Sequence, residues 1–148
     1  MSPLIMVTHP SILLIEDSPG ECELFCLALA QTGLDVAIFT EQDADAALHF
    51  LANQTDLPSV ILLDWHLGKQ RGDEFLNRLR ANSRFVSIPV VVVTTSDDQT
   101  DLATCYASGA NGYVVKPGTF AELLQCTSDI CRYWIDRNRT PYRVEARC

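Results

Sequence analysis

Short apolar runs alternate with longer amphipathic stretches five times along this chain, and that alternation restricts its fold more than any other feature. Residues 11–17, S-I-L-L-I-E-D, read as a strand ending in two acids. Residues 19–32 carry Cys22, Phe25, Cys26 and Leu29 at helical spacing, with Gly33 as a stop. A strand over 35–40 and a helix over 43–53, with Ala47, Phe50 and Leu51 on one face, make the second unit. The third is a strand over 59–64, introduced by Pro58, and a helix over 73–82 with Phe75, Leu76 and Leu79 inward. Val90 to Thr94 is the most β-branched run, which suits a strand, and a helix over 98–107 follows with acids in its first turn. Gly109 stops that helix; G-Y-V-V-K-P is the last strand, ended by Pro117. The final helix spans 119–136, with a stripe of Phe120, Leu123, Leu124, Thr127, Cys131 and Trp134.

Five β-then-α units in succession imply an α/β fold with a parallel sheet and helices on both faces. Right-handed crossovers reduce the topologies to a few doubly wound choices, and the functional crevice of such a sheet lies at the carboxyl ends of its strands. One domain over 11–136 accounts for the pattern, with a short extension at 1–10 and a basic tail at 137–148.

Composition narrows the function classes. At 47% hydrophobic and 20% charged residues the chain reads as an ordinary globular protein. No apolar run approaches the roughly 18 residues of a membrane span, and the N-terminus has no basic segment of a secretory signal, so a cytoplasmic location is expected. The six cysteines show no C-x-x-C pair and no zinc-ligand spacing, and read as reduced, small hydrophobes. The net charge of -8 divides unevenly: residues 1–131 hold six basic and seventeen acidic residues, and 132–148 hold five basic and two acidic. An acidic body argues against nucleic acid as the partner.

The strand ends carry the chemistry. They present Glu16 and Asp17, Asp64, Thr94 with Thr95, and Lys116. In V-I-L-L-D-W-H-L (60–67) an aliphatic run stops on an aspartate, which is costly inside a sheet unless the carboxylate is used. Three converging carboxylates repel one another, and a hard divalent cation removes that conflict. An ion beside a lysine and a hydroxyl suits a phosphoryl group, which needs a nucleophilic oxygen, cations and donors for its oxygens. Asp64 would be the nucleophile and form an acyl phosphate; Glu16 and Asp17 would hold Mg²⁺, or Mn²⁺ in its place; Thr94 and Lys116 would bind the phosphoryl oxygens.

L-I-E-D-S, V-I-L-L-D-W-H-L, P-V-V-V-V-T-T-S and G-Y-V-V-K-P, in that order and spacing, resemble the receiver domain of two-component response regulators. The resemblance runs from about residue 11 to about residue 133. It implies a flavodoxin-like five-stranded sheet of order 2-1-3-4-5 and phosphorylation of Asp64 by a sensor histidine kinase. It also implies a metal contact from the His66 backbone carbonyl, a switch pair of Thr94 and Tyr113, and modulation of acyl-phosphate lifetime by His66 and Ser96. The T-T-S, S-G-A-N-G-Y and C-R-Y-W-I segments are similar to small single-domain regulators paired with phytochrome-type kinases. Such a chain is a signalling module, not an enzyme acting on an outside substrate. Its output is contact with a further, unidentified protein, and the apolar end of the last helix allows a homodimer.

Two positions depart from the family pattern. Gly68 stands where proline is frequent, which would loosen the loop to Gly72, and Glu16 stands where aspartate is frequent. Three rival functions compete with this reading. An aspartyl phosphatase would need a second acid where His66 stands, and a flavin-binding relative would need a phosphate loop less acidic than E-D-S-P-G-E-C-E. A receiver-like scaffold that is never phosphorylated would not need to retain every group named above.

Overall fold

The computed structural model describes residues 9–143. Seven strands and five α-helices follow one another as β1 (Ser11–Ile15), α1 (Pro19–Thr32), β2 (Ala37–Glu41), α2 (Ala44–Ala52), β3 (Val60–Leu63), β4 (His66–Leu67), β5 (Gln70–Arg71), α3 (Gly72–Arg80), β6 (Val90–Thr94), α4 (Gln99–Ala107), β7 (Gly112–Val115) and α5 (Phe120–Ile130). A π-helical turn, Cys131–Arg137, continues α5. The main sheet is parallel, in the order β2-β1-β3-β6-β7, which is 2-1-3-4-5 when only its five strands are counted. This is the expected flavodoxin-like receiver fold.

Alternation along the central strands divides the core into two layers, because successive side chains of a strand face opposite sides of a sheet. Leu13, Ile15, Ile61, Leu63, Val90 and Val92 pack toward α2 and α3 with Leu51, Phe75, Leu76 and Leu79. Ile12, Leu14, Val60, Leu62, Val91 and Val93 pack toward α1 and α5 with Phe25, Leu29 and Ile130. The three central strands are buried along their whole length, which is why they read as continuous apolar runs. The edge strand β2 is largely exposed.

Caps fix where the helices start, and hence where the strand-end loops lie. Ser18 Oγ accepts the N–H of Glu21 at 3.3 Å, with Pro19 in the first turn, where its missing donor costs nothing. Asp43, Asp98 and Thr119 cap α2, α4 and α5 in the same manner.

Three features differ from the sequence reading. The stretch after Asp64, expected to be a loosened loop, forms a small antiparallel hairpin in which Leu67 faces Gln70 across Gly68 and Lys69. Gly68 has φ 60, a left-handed conformation that proline cannot adopt, so glycine at this position belongs to the turn. The last helix is not uniform to residue 136. Its π-helical end buries Ile135, whereas Trp134 is only half buried and meets Tyr133 edge-on at 4.8 Å. Finally, the tail, read from the sequence only as basic, folds back over its described residues. Tyr142 O–H donates to the Pro58 carbonyl at 2.7 Å, and Arg143 donates to the Ile135 carbonyl at 3.1 Å. Most of the N-terminal extension (1–8) and the tail end, 144–148 with Cys148, lie outside the described residues.

All five described cysteines are free: Cys105 and Cys131 are buried, and Cys22, Cys26 and Cys126 are half buried. No helix among the described residues is long and apolar enough to cross a membrane.

Candidate functional site

The carboxyl ends of β1, β3, β6 and β7 meet at one edge of the sheet, and the side chains singled out from the sequence meet there. One carboxylate oxygen each from Glu16, Asp17 and Asp64 lies within 4.8 Å of the others. Glu16 and Asp64 are buried, whereas Asp17 faces solvent. Backbone ties hold the two buried acids in place: Glu16 N–H donates to Glu41 O and Asp64 N–H to Ile15 O, each at 3.0 Å. The Asp64 Oδ1 accepts the N–H of His66 at 3.2 Å, and Glu16 Oε1 accepts that of Ser18 at 3.2 Å.

Lys116 reaches this cluster from the end of β7. Its Nζ lies 2.9 Å from Glu16 Oε2 and 3.6 Å from Asp64 Oδ2, and its own N–H donates to the Thr94 carbonyl at 2.7 Å. The same ammonium lies 2.6 Å from Glu21 Oε2, in the first turn of α1, a partner that the sequence reading did not name. Thr94 is fully buried at the end of β6, between the Asp64 and Lys116 strands. Its Oγ1 accepts the Ser96 N–H at 3.3 Å and keeps its own hydrogen for donation.

A single cation does not neutralise three acids, but burial weighs more than that imbalance at Glu16. Burial pushes the Glu16 carboxyl up to about 8; the Lys116 hydrogen bond opposes the rise, and the nearby Asp64 charge adds to it. Burial alone would lower the Lys116 ammonium, but its pairing with Glu21 and Glu16 outweighs that and holds it above its ordinary range. The Lys116 hydrogen bond in turn holds the Glu21 carboxyl below its ordinary range.

A second set of contacts connects the site to α4. Ser96 Oγ donates to Asp101 Oδ2 at 2.8 Å, and His66 Nε2 lies 3.6 Å from the same oxygen. The Tyr113 hydroxyl donates to the Ser96 carbonyl. His66, Ser96, Tyr113 and Asp101 thus form one connected patch beside Asp64. Asp101 is the member that the sequence reading passed over, because an acid in a first helical turn already has a reason to be there.

Oxygen donors alone, two buried and one open to water, form the donor set of a hard divalent ion that keeps part of its hydration shell. Neither the solvent-facing Asp17 nor the lysine beside Glu16 and Asp64 suits an all-protein structural cage. The arrangement can bring positive charge and hydrogen-bond donors to an anion placed on Asp64.

The response regulator receiver domain model matches residues 12–128, and the chain belongs to that family, a class of signalling domain. Among curated relatives, the "Probable methanogenesis regulatory protein FilR2" of Methanothrix harundinacea is 36% identical over 134 residues, 88% of this chain and 86% of that protein. Response regulator Rcp1 of Synechocystis sp. is 32% identical over 135 residues, 88% of this chain and 92% of that protein. Among solved structures, the phosphorylated cyanobacterial phytochrome response regulator RcpA superposes with a TM-score of 0.82 at 29% identity, covering 90% of this chain and 99% of RcpA. The Mn²⁺-bound form of Rcp1 superposes with a TM-score of 0.78 at 31% identity, covering 89% of this chain and 99% of Rcp1.

Proposed function

We propose that this chain is a response regulator receiver that accepts a phosphoryl group on Asp64 from a sensor histidine kinase and passes the signal on by protein–protein contact. The observation that carries this reading is the position of Asp64. Its buried carboxylate ends a rigid central strand, 3.6 Å from a lysine ammonium and within 4.8 Å of two further acids. Likeness to Rcp1 and to the phytochrome response regulator RcpA supports a phytochrome-type kinase as the donor.

In the proposed transfer one Asp64 oxygen attacks phosphorus. The bond from phosphorus to the donor nitrogen breaks, and that electron pair stays with the kinase histidine. Glu16, Asp17 and Asp64, with the His66 backbone carbonyl, would hold Mg²⁺ or Mn²⁺, and the bound ion supplies positive charge opposite the phosphoryl oxygens. The Lys116 ammonium donates to one of those oxygens and the Thr94 hydroxyl to another. A Thr94 drawn toward the phosphoryl group pulls on the Ser96 loop, to which the Tyr113 hydroxyl is bonded. Thr94 and Tyr113 are therefore the proposed switch, a local charge event biasing a two-state element. His66 and Ser96, beside Asp64, are proposed to modulate the lifetime of the acyl phosphate. Exposed Tyr133 and half-buried Trp134 offer a surface for a downstream protein or for a second copy of the chain.

Intact-mass spectrometry after incubation with acetyl phosphate tests this reading. One added phosphoryl group is expected with Mg²⁺, none without it, and none in Asp64→Asn. Absence of any addition to the wild-type protein would leave a receiver-like scaffold that works unphosphorylated.

A further inference from the structure

The shortest ion pair of Lys116 is not with the acid cluster but with Glu21, at 2.6 Å against 2.9 Å to Glu16 and 3.6 Å to Asp64. S-P-G-E (18–21) has the sequence of a capping box, in which the glutamate reaches back to the N-cap N–H. Only half of that box is made. Glu21 N–H donates to Ser18 Oγ, but Ser18 N–H donates to Glu16 Oε1, and the Glu21 carboxylate turns to Lys116 instead.

We propose that Glu21 is a positioning residue that holds the Lys116 ammonium in the unphosphorylated protein and must release it before Lys116 can serve a phosphoryl group on Asp64. This rests on the phosphoacceptor reading of Asp64 and concerns the regulation of that same site. If Glu16 and Asp64 are taken by a divalent ion, Glu21 is the one remaining carboxylate among the Lys116 partners described. A phosphoryl group with charged oxygens is a stronger acceptor than a half-exposed carboxylate, so the lysine changes partner when the phosphoryl group arrives. A cavity of about 110 Å³, lined by Glu21, Leu24, Lys116 and Leu123 among others, gives the lysine stem room to swing. Glu21, exposed at its outer side, re-enters water on release. The consequence is a brake on acyl-phosphate formation, and a contact between α1 and the loop after β7 that is present only before phosphorylation.

The test is a time course of phosphoryl addition by acetyl phosphate and Mg²⁺ to the full chain, as wild type, Glu21→Gln, Glu21→Ala and Glu23→Gln. Glu23→Gln removes the same charge from the same helix but not a partner of Lys116. Both Glu21 variants are expected to be phosphorylated roughly two- to fivefold faster than wild type, the size of a half-exposed ion pair. Glu23→Gln should match wild type. Because the pair is screened by salt, the advantage should shrink between about 0.05 M and about 0.5 M ionic strength. Glu21 variants no faster than wild type, or a Glu23→Gln variant equally fast, would overturn the brake while leaving Asp64 as phosphoacceptor. A wild-type protein that takes up no phosphoryl group would overturn both.

Discussion

In the proposed site, metal binding and protonation would compete at Glu16. Its carboxyl is pushed up to about 8 by burial, so it is largely neutral at pH 6 and becomes charged as pH rises. A divalent ion needs the charged form, and binding therefore releases a proton. The sign follows: Mg²⁺ affinity should rise with pH up to about 8, by at most about tenfold per unit for one proton, and level off above. Intrinsic fluorescence is a suitable probe, because Trp65 is fully buried next to Asp64. A Glu16→Gln variant should bind more weakly with a flatter profile, and a flat wild-type profile would contradict the assignment. Much at this scale was legible in the sequence, since Glu16, Asp17, Asp64, Thr94 and Lys116 each lie at or just beyond the carboxyl end of a strand, and a parallel sheet gathers strand ends. Glu21 was not, because an acid in the first turn of a helix is expected on dipole grounds alone.

Among the elements, the loop after Asp64 depends on two glycines for different reasons. At Gly72 an added Cβ would lie 2.8 Å from Trp65 Cε3 and 3.1 Å from Leu63 Cδ2, so the helix start is pressed against the strand and the tryptophan. Gly72→Ala is expected to cost about 1–3 kcal/mol through overpacking, read as a lowered denaturant midpoint. At Gly68 there is room for a Cβ, the nearest atom being 3.7 Å away, and the obstacle is φ 60. Gly68→Ala should cost about 1–2 kcal/mol from the left-handed backbone alone, and Gly68→Pro more, since proline fixes φ near -65°. Equal, near-zero effects at both positions would contradict the packing described. The long elements were readable because four or five apolar positions repeat in each. The hairpin was not, because two-residue strands carry no period. The π-helical end of α5 was not readable either, since apolar residues at three- and four-residue steps fit an ordinary helix equally well.

For the whole molecule, the alternation of elements with right-handed crossovers left only a few arrangements of five parallel strands, and the order among them came from the family resemblance. The return of the tail came from neither, as R-N-R-T-P-Y-R looks polar and the Tyr142 and Arg143 contacts reveal the docking. That docking is at Pro58, before β3, the end of the sheet opposite the acid cluster. Tyr142→Phe should therefore lower stability by about 0.5–1.5 kcal/mol, the value of one hydrogen bond, without changing phosphorylation of the site. A phosphorylation defect in that variant would show that the tail and the site are coupled.

An acyl phosphate on Asp64 has a chemical signature that a phosphoester on Thr94 or Ser96 lacks. Borohydride reduces it to the alcohol, converting the aspartate to homoserine, and peptide mass mapping locates the change. After treatment with acetyl phosphate and Mg²⁺, homoserine is expected at position 64 and nowhere else. Homoserine at another aspartate, the corresponding five-carbon alcohol at a glutamate, or a phosphoryl group that survives borohydride would contradict Asp64 as the phosphoacceptor.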